Sequence, residues 1–168
     1  MPNLEQTKRC VIADDVRASR EILRSWLCDC QFECVLAADG DEAWEAIQRE
    51  PPDLLITDIE MPNCCGLKLL QRVRADPSPQ IHSIPVVMIT SLHDGQIEQT
   101  IERLGGNGLL AKPLDQYSTY AIVLAVLAAA GTDQEKLIVS DPNGKISGDG
   151  LVSPTFRRLL KPLFSSDS

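Results

Sequence analysis

The sequence predicts a doubly wound α/β domain built on a parallel sheet. Three observations carry this. Five short apolar runs alternate with stretches of helical periodicity, which is the pattern that strands joined by crossover helices produce. The runs are continuously apolar and end abruptly at polar residues, as fully buried strands do. The chain of 168 residues, 43% of them hydrophobic, is long enough for one core with a tail left over.

The first run is Arg9-Cys10-Val11-Ile12-Ala13, closed by Asp14-Asp15. From Val16 onward Ile22, Leu23, Trp26 and Leu27 mark one helical face. A second strand spans about Glu33 to Ala37. Asp39, with Glu42 three residues later, is a capping pattern that opens a second helix with Ala43 and Ile47 on one face; Pro51-Pro52 stops it. Leu54-Leu55-Ile56-Thr57-Asp58 is the third strand, and Met61-Pro62 turns the chain. Gly66, Leu69, Leu70 and Val73 give a third helix that ends before Pro77 and Pro79. Pro85 to Thr90 is the fourth strand, and Ile97, Ile101 and Leu104 mark a fourth helix, broken by Gly105-Gly106-Asn107-Gly108. Leu109-Leu110-Ala111 is the fifth strand, followed by Lys112-Pro113, and a last helix runs from about Asp115 to Ala130.

The polar residues that close these strands carry the chemistry. Asp14-Asp15, Asp58, Thr90 and Lys112 each stand just after or at the end of a different strand. In a parallel sheet those points share one edge, where ligands bind. Taken alone, Asp58 reads more readily as a loop cap, whereas for the Asp14-Asp15 pair a cap for the next helix is the lesser alternative to a bound cation. Together they form a crevice of three carboxylates, which favours a hard divalent cation such as Mg2+. An ammonium group and a hydroxyl beside it complement a phosphoryl group. A carboxylate so placed can act as a nucleophile and form an acyl phosphate, and Asp58, central among the strands, is the choice for it.

The net charge of -8 is concentrated in residues 1–130, which hold 11 basic and 19 acidic side chains against 5 and 5 in the remainder. Such a domain repels phosphate backbones, so no direct nucleic-acid partner is expected. The N-terminal residues are polar and resemble no signal peptide, and the apolar Tyr120–Ala130 stretch is too short to span a bilayer, so a cytoplasmic protein with no membrane partner is expected. Cys10, Cys28, Cys30, Cys34, Cys64 and Cys65 lack zinc-type spacing and are expected to be free thiols.

The last helix is apolar on every side, which calls for a cover on its outer face unless its alanines are simply tolerated there, and it allows a homodimer through that helix. Residues 131–150 are rich in Gly, Asp and Ser and read as a linker. Asp141 and Asn143 do not make a calcium loop, since Lys145 follows and Val152 stands in place of the required terminal acid. In residues 151–168, Phe156, Leu159, Leu160, Leu163 and Phe164 follow helical spacing among Arg157, Arg158 and Lys161, interrupted by Pro162. That segment is read either as a disordered tail or as a basic, apolar segment that docks, with the last helix as the obvious site.

Asp14-Asp15, Asp58 with Met61-Pro62 and Gly66, Thr90, and Lys112-Pro113, in this order and spacing, resemble the response-regulator receiver family of two-component signalling. The resemblance covers residues 6–130 and suggests a stand-alone receiver with a short C-terminal extension. It implies a flavodoxin-like sheet of five strands in the order 2-1-3-4-5, with five helices. It implies that Asp58 accepts a phosphoryl group from a histidine kinase, a phosphotransfer protein or a small phosphodonor. Asp15 would ligate Mg2+ directly beside Asp58 and the main-chain carbonyl of Glu60, with Asp14 acting through water. Lys112 would pair with the phosphate, Thr90 would be the switch hydroxyl, and Ser91 would leave room for the phosphate. Glu60 and Leu92 would flank the phosphate entrance and tune its lifetime. Leu109 departs from the family's usual tyrosine or phenylalanine, so a weaker or differently wired switch is expected. The resemblance further implies a downstream protein target and no enzymatic activity beyond self-phosphotransfer and self-dephosphorylation. The alternative is a receiver-like interaction module that works without phosphorylation, which the intact acidic cluster and lysine disfavour.

Overall fold

The computed structural model describes residues 7–91, 95–130, 137–140 and 146–147. Strands β1 (Lys8–Ala13), β2 (Phe32–Ala37), β3 (Leu54–Asp58), β4 (Val86–Thr90) and β5 (Gly108–Ala111) alternate with helices α1 (Arg17–Asp29), α2 (Gly40–Arg49), α3 (Gly66–Ala75), α4 (Pro79–His82), α5 (Gly95–Leu104) and α6 (Gln116–Ala129). Short strands β6 (Ile138–Ser140) and β7 (Ile146–Ser147) follow. The sheet order is β2-β1-β3-β4-β5-β6-β7. The five expected strands are therefore present in the order 2-1-3-4-5, all parallel. β3 and β4, in the middle, are buried throughout, as two-sided coverage by helices requires.

The core lies in two layers. Leu55, Met88, Leu69, Leu70 and Val73 belong to the layer under α2, α3 and α5. Ile12, Ile56, Val87, Leu23, Leu27, Ile122 and Val126 fill the layer under α1 and α6. The second helix starts as expected. Asp39 Oδ1 accepts from the Glu42 amide at 2.9 Å, while Glu42 Oε2 reaches back to the amide of Ala38 at 2.8 Å, one residue before the cap. In α1 the face is narrower than expected: Leu23 and Leu27 are buried, but Ile22 is 41% exposed because α1 meets the sheet along one row only.

Two departures concern added structure. α4 is a single turn that begins at Pro79, a residue suited to the first helical position, within the stretch expected only to end α3. The stretch read as a linker supplies two more strands than the five expected. β6 lies parallel to β5, with Gly108 opposite Ile138 and Leu109 opposite Val139, and β7 turns back antiparallel. Its Leu137-Ile138-Val139 run is apolar and β-branched, which suits a pleated edge better than a linker.

α6 finds its cover within the chain. Ser118 to Val123, Ala125 and Val126 are buried, and α6 packs against β5, β6 and α1. The Tyr120 hydroxyl donates to the carbonyl of Trp26 at 3.0 Å and fastens α6 to α1. The segment 151–168 expected to dock on this helix lies outside the described residues, as does Leu92. Among the described residues no helix is long and apolar enough to cross a membrane.

Candidate phosphoryl-acceptor site

Each site residue is placed by the last rung of a strand ladder. The Asp14 amide donates to Ala37 O at 3.1 Å, just past the end of β1. Its side chain closes a turn by accepting from the Val16 amide at 2.8 Å through Oδ1. Arg20, one turn into α1, donates from Nη1 to Asp14 O at 2.6 Å. Sequence reasoning missed this arginine; its position one helical turn past the acid pair is the only signal that could have found it.

Asp58 ends β3 opposite Ile89. The chain then continues straight, with the Ile59 amide donating to Ile89 O at 3.0 Å. It turns so that the Glu60 amide donates to Asp58 Oδ1 at 3.2 Å. Gly66 is what lets the loop close so tightly. Its amide donates to Ile59 O at 2.9 Å, and a Cβ at this position would stand 2.1 Å from Asp58 O. Thr90 ends β4, 3% exposed, and its carbonyl accepts from the Lys112 amide at 2.9 Å. That bond holds the residue following β5 at the same edge, where the Lys112–Pro113 peptide is cis.

Three carboxylates and one ammonium therefore meet. Lys112 Nζ lies 2.7 Å from Asp58 Oδ2 and 3.6 Å from Asp14 Oδ2. Asp14, Asp15 and Asp58 each offer an oxygen within 4.8 Å of the others. Asp14 is fully buried, Asp58 3% exposed and Asp15 open to solvent. Asp14 Oδ2 is buried without a hydrogen-bond partner. Burial pushes the Asp14 carboxyl above its ordinary range; the Val16 amide opposes this, and the neighbouring Asp58 adds to it. Burial alone would lower the Lys112 ammonium, but its hydrogen bond to Asp58 and the charges of Asp14 and Asp58 outweigh that and hold it above its ordinary value. A cluster of acid oxygens, one of them without a hydrogen bond and one carboxylate open to solvent, is what a hard divalent cation would satisfy.

Leu109, the expected switch position, is 4% exposed and sits between Met88 of β4 and Val139 of β6 in the strand register. With β6 alongside, β5 does not form the edge of the sheet. The structure thus brings Asp14, Asp15, Asp58, Glu60, Thr90 and Lys112 to one edge and leaves Leu109 inside the core, about three residues down its strand.

Comparison with known proteins agrees with this fold. Residues 10–123 match the family described as the response regulator receiver domain. The response regulator Rre1 of Synechocystis is 35% identical over 136 residues, covering 76% of this chain and 57% of its own length. The "Probable transcriptional regulator ycf27" of Guillardia theta is 33% identical over 125 residues, covering 74% of this chain and 47% of its own length. The chain thus spans about half the length of the curated relatives it matches. Among solved structures, the chemotaxis response regulator CheY4 of Vibrio cholerae superposes with a TM-score of 0.67 at 26% identity, over 72% of this chain and 99% of that one. On these matches the chain belongs to the response-regulator receiver family of two-component signalling.

Proposed function

We propose that this receiver takes a phosphoryl group on Asp58 with Mg2+ as cofactor and passes the signal on through protein contacts. The observation that carries the reading is the position of Lys112 Nζ, 2.7 Å from Asp58 Oδ2 and 3.6 Å from the buried Asp14 Oδ2, which accepts no hydrogen bond. An Asp58 oxygen attacks phosphorus, the bond from phosphorus to the donor's histidine nitrogen or leaving oxygen breaks, and an acyl phosphate forms. The Glu60 amide holds the carboxylate in place, and Lys112 moves from neutralising the carboxylate to pairing with the phosphoryl oxygens. Thr90 offers its hydroxyl to the same group. Asp14, Asp15, Asp58 and the main-chain carbonyl of Glu60 would hold the metal, which supplies neutralising charge for the phosphoryl oxygens. A histidine kinase or phosphotransfer protein is the donor, and a protein target is the receiver of the signal.

Leu109 would not reproduce the swing of an aromatic at this position. It is fixed between two strands, so rearrangement would leave the site through Thr90 and Glu60 rather than through this position.

The test is incubation of the chain with a small acyl-phosphate donor and Mg2+, read by intact mass. One phosphoryl adduct is expected, absent in Asp58→Ala and absent with chelator. No adduct under conditions where Mg2+ binding is measured directly would overturn the proposal.

A further inference from the structure

The layer of the core under α1 holds Cys10 and Cys34, and Cys28 lies at the end of α1 beside them; phosphoryl transfer uses none of the three. β1 and β2 pair in register with Cys10 opposite Cys34. Residues opposite each other in a parallel ladder project to the same face, and both cysteines pack in the layer covered by α1. Cys10 is fully buried, Cys34 half-buried, and Cys28, in the last turn of α1, exposed.

The turn between α1 and β2 brings the last two together. Only Cys30 and Gln31 join the elements, and Gln31 adopts a left-handed backbone with φ of 65°. The Cys30 amide donates to Leu27 O and the Gln31 amide to Cys28 O, both at 3.0 Å. A left-handed residue after a helix reverses the chain at once, so β2 runs back beneath the helix end that carries Cys28. Cys28 and Cys34 line one open cleft of about 660 Å³, with Arg24 and Phe32 among its walls.

The three sulfurs differ in reactivity. Burial pushes the Cys10 thiol well up and also raises that of Cys28. The Cys34 thiol is held below its ordinary value: hydrogen bonding with Cys10 lowers it most, burial opposes this, and Cys28 and the Arg24 charge lower it further. A thiolate supported in this way, open to solvent and next to a second thiol, has the surroundings of a redox-reactive cysteine.

We propose that Cys34 and Cys28 form a reversible dithiol–disulfide couple that hydroperoxides oxidise. The Cys34 thiolate attacks the hydroperoxide; its O–O bond breaks, a sulfur–oxygen bond forms, and the departing alkoxide takes up the proton that Cys34 released. The Cys28 thiol then attacks the sulfenic sulfur. The S–S bond forms, the sulfur–oxygen bond breaks, and hydroxide leaves as water with the Cys28 proton. Two thiols lose two electrons in all, and the hydroperoxide is reduced to an alcohol and water. Cys10 supports the thiolate but lies beyond the reach of solvent, so it is not the second partner. The couple stands on the amino-terminal half of β2 and the last turn of α1, away from the edge that holds Asp58.

The full reduced chain is treated with an equimolar amount of hydrogen peroxide at neutral pH and mapped by peptide mass under non-reducing conditions. A Cys28–Cys34 cross-link that dithiothreitol reverses is expected, with Cys34 oxidising roughly tenfold faster than Cys30 or Cys65. Cys28→Ser should leave Cys34 as a sulfenic acid that dimedone traps as one adduct, whereas Cys34→Ser should remove both the cross-link and the adduct. A dominant Cys10–Cys34 or Cys64–Cys65 cross-link, or equal oxidation of Cys30 and Cys34 in the unaltered chain, would overturn the proposal. The mapping of the unaltered chain decides the matter even if a serine variant fails to fold.

Discussion

One ammonium serves two buried carboxylates: Lys112 Nζ stands 2.7 Å from Asp58 Oδ2 and 3.6 Å from Asp14 Oδ2. Without a metal it is the main compensating charge at that edge. Lys112→Met should therefore lower the unfolding free energy in chelator by about 2 kcal/mol, less than for a fully buried pair because the lysine is partly open to water. Saturating Mg2+ should return part of that loss. Urea unfolding with and without metal checks this, and equal stability of the two proteins in chelator would contradict it.

Asp14 has the opposite character. Burial makes its carboxyl easier to protonate in the folded chain than in the unfolded one, so the unfolded state binds fewer protons and stability falls as pH rises from about 4 through the raised folded-state value. Asp14→Asn should remove this dependence. In chelator at neutral pH the variant should be more stable by about 1 kcal/mol, the usual scale of relief at a strained functional site, with the advantage shrinking toward pH 4. Its Mg2+ affinity should fall. Urea midpoints at two pH values measure the first effect and metal titration the second; a variant less stable at neutral pH would count against the account.

At Gly66 the space itself is the constraint. A methyl group 2.1 Å from Asp58 O must push either α3 or the end of β3 aside, so Gly66→Ala should cost about 3 kcal/mol. Because the displaced atom belongs to Asp58, the rate of adduct formation should drop as well. Loss of stability with an unchanged rate would show that α3 alone moves.

Arg74 offers a prediction remote from the site. Its guanidinium donates five hydrogen bonds, two to Gly105 O, one each to His82 O and Ile84 O, and one to Asn107 Oδ1. It makes no ion pair among the described residues, and burial lowers its pKa from the ordinary value. The fork ties the end of α3 to α4 and to the turn before β5. Arg74→Met should cost about 3 kcal/mol by stranding these acceptors. Arg74→Lys should recover less than half, since a compact ammonium cannot span carbonyls that a planar fork can. Thermal unfolding of the two variants separates the outcomes.

These residues also show what can be read from a chain without its structure. Asp14, Asp58, Thr90 and Lys112 were legible because each stands where an apolar run stops, and a parallel sheet sends all such points to one edge. Gly66 was legible as part of a motif, though not as the space that Asp58 O requires. Arg74 was hidden, because its partners are carbonyls brought close only by three separate turns, and a carbonyl leaves no mark in composition. β6 was hidden by its surroundings: a three-residue apolar run among Gly, Asp and Ser reads as linker until an open strand edge is known to lie beside it. The apolar girdle of α6 was the available clue that something had to cover it.

That cover has a practical consequence. The family match stops at residue 123, and composition would invite a cut near Ala130. Such a cut would strip the Ile138 amide from Asn107 O, bare the outer edge of β5, and uncover apolar surface on α6 where Ile138 packs with Ile122 and Val126. A fragment ending near Ala130 should therefore self-associate more than the full chain, which size-exclusion chromatography of the two checks.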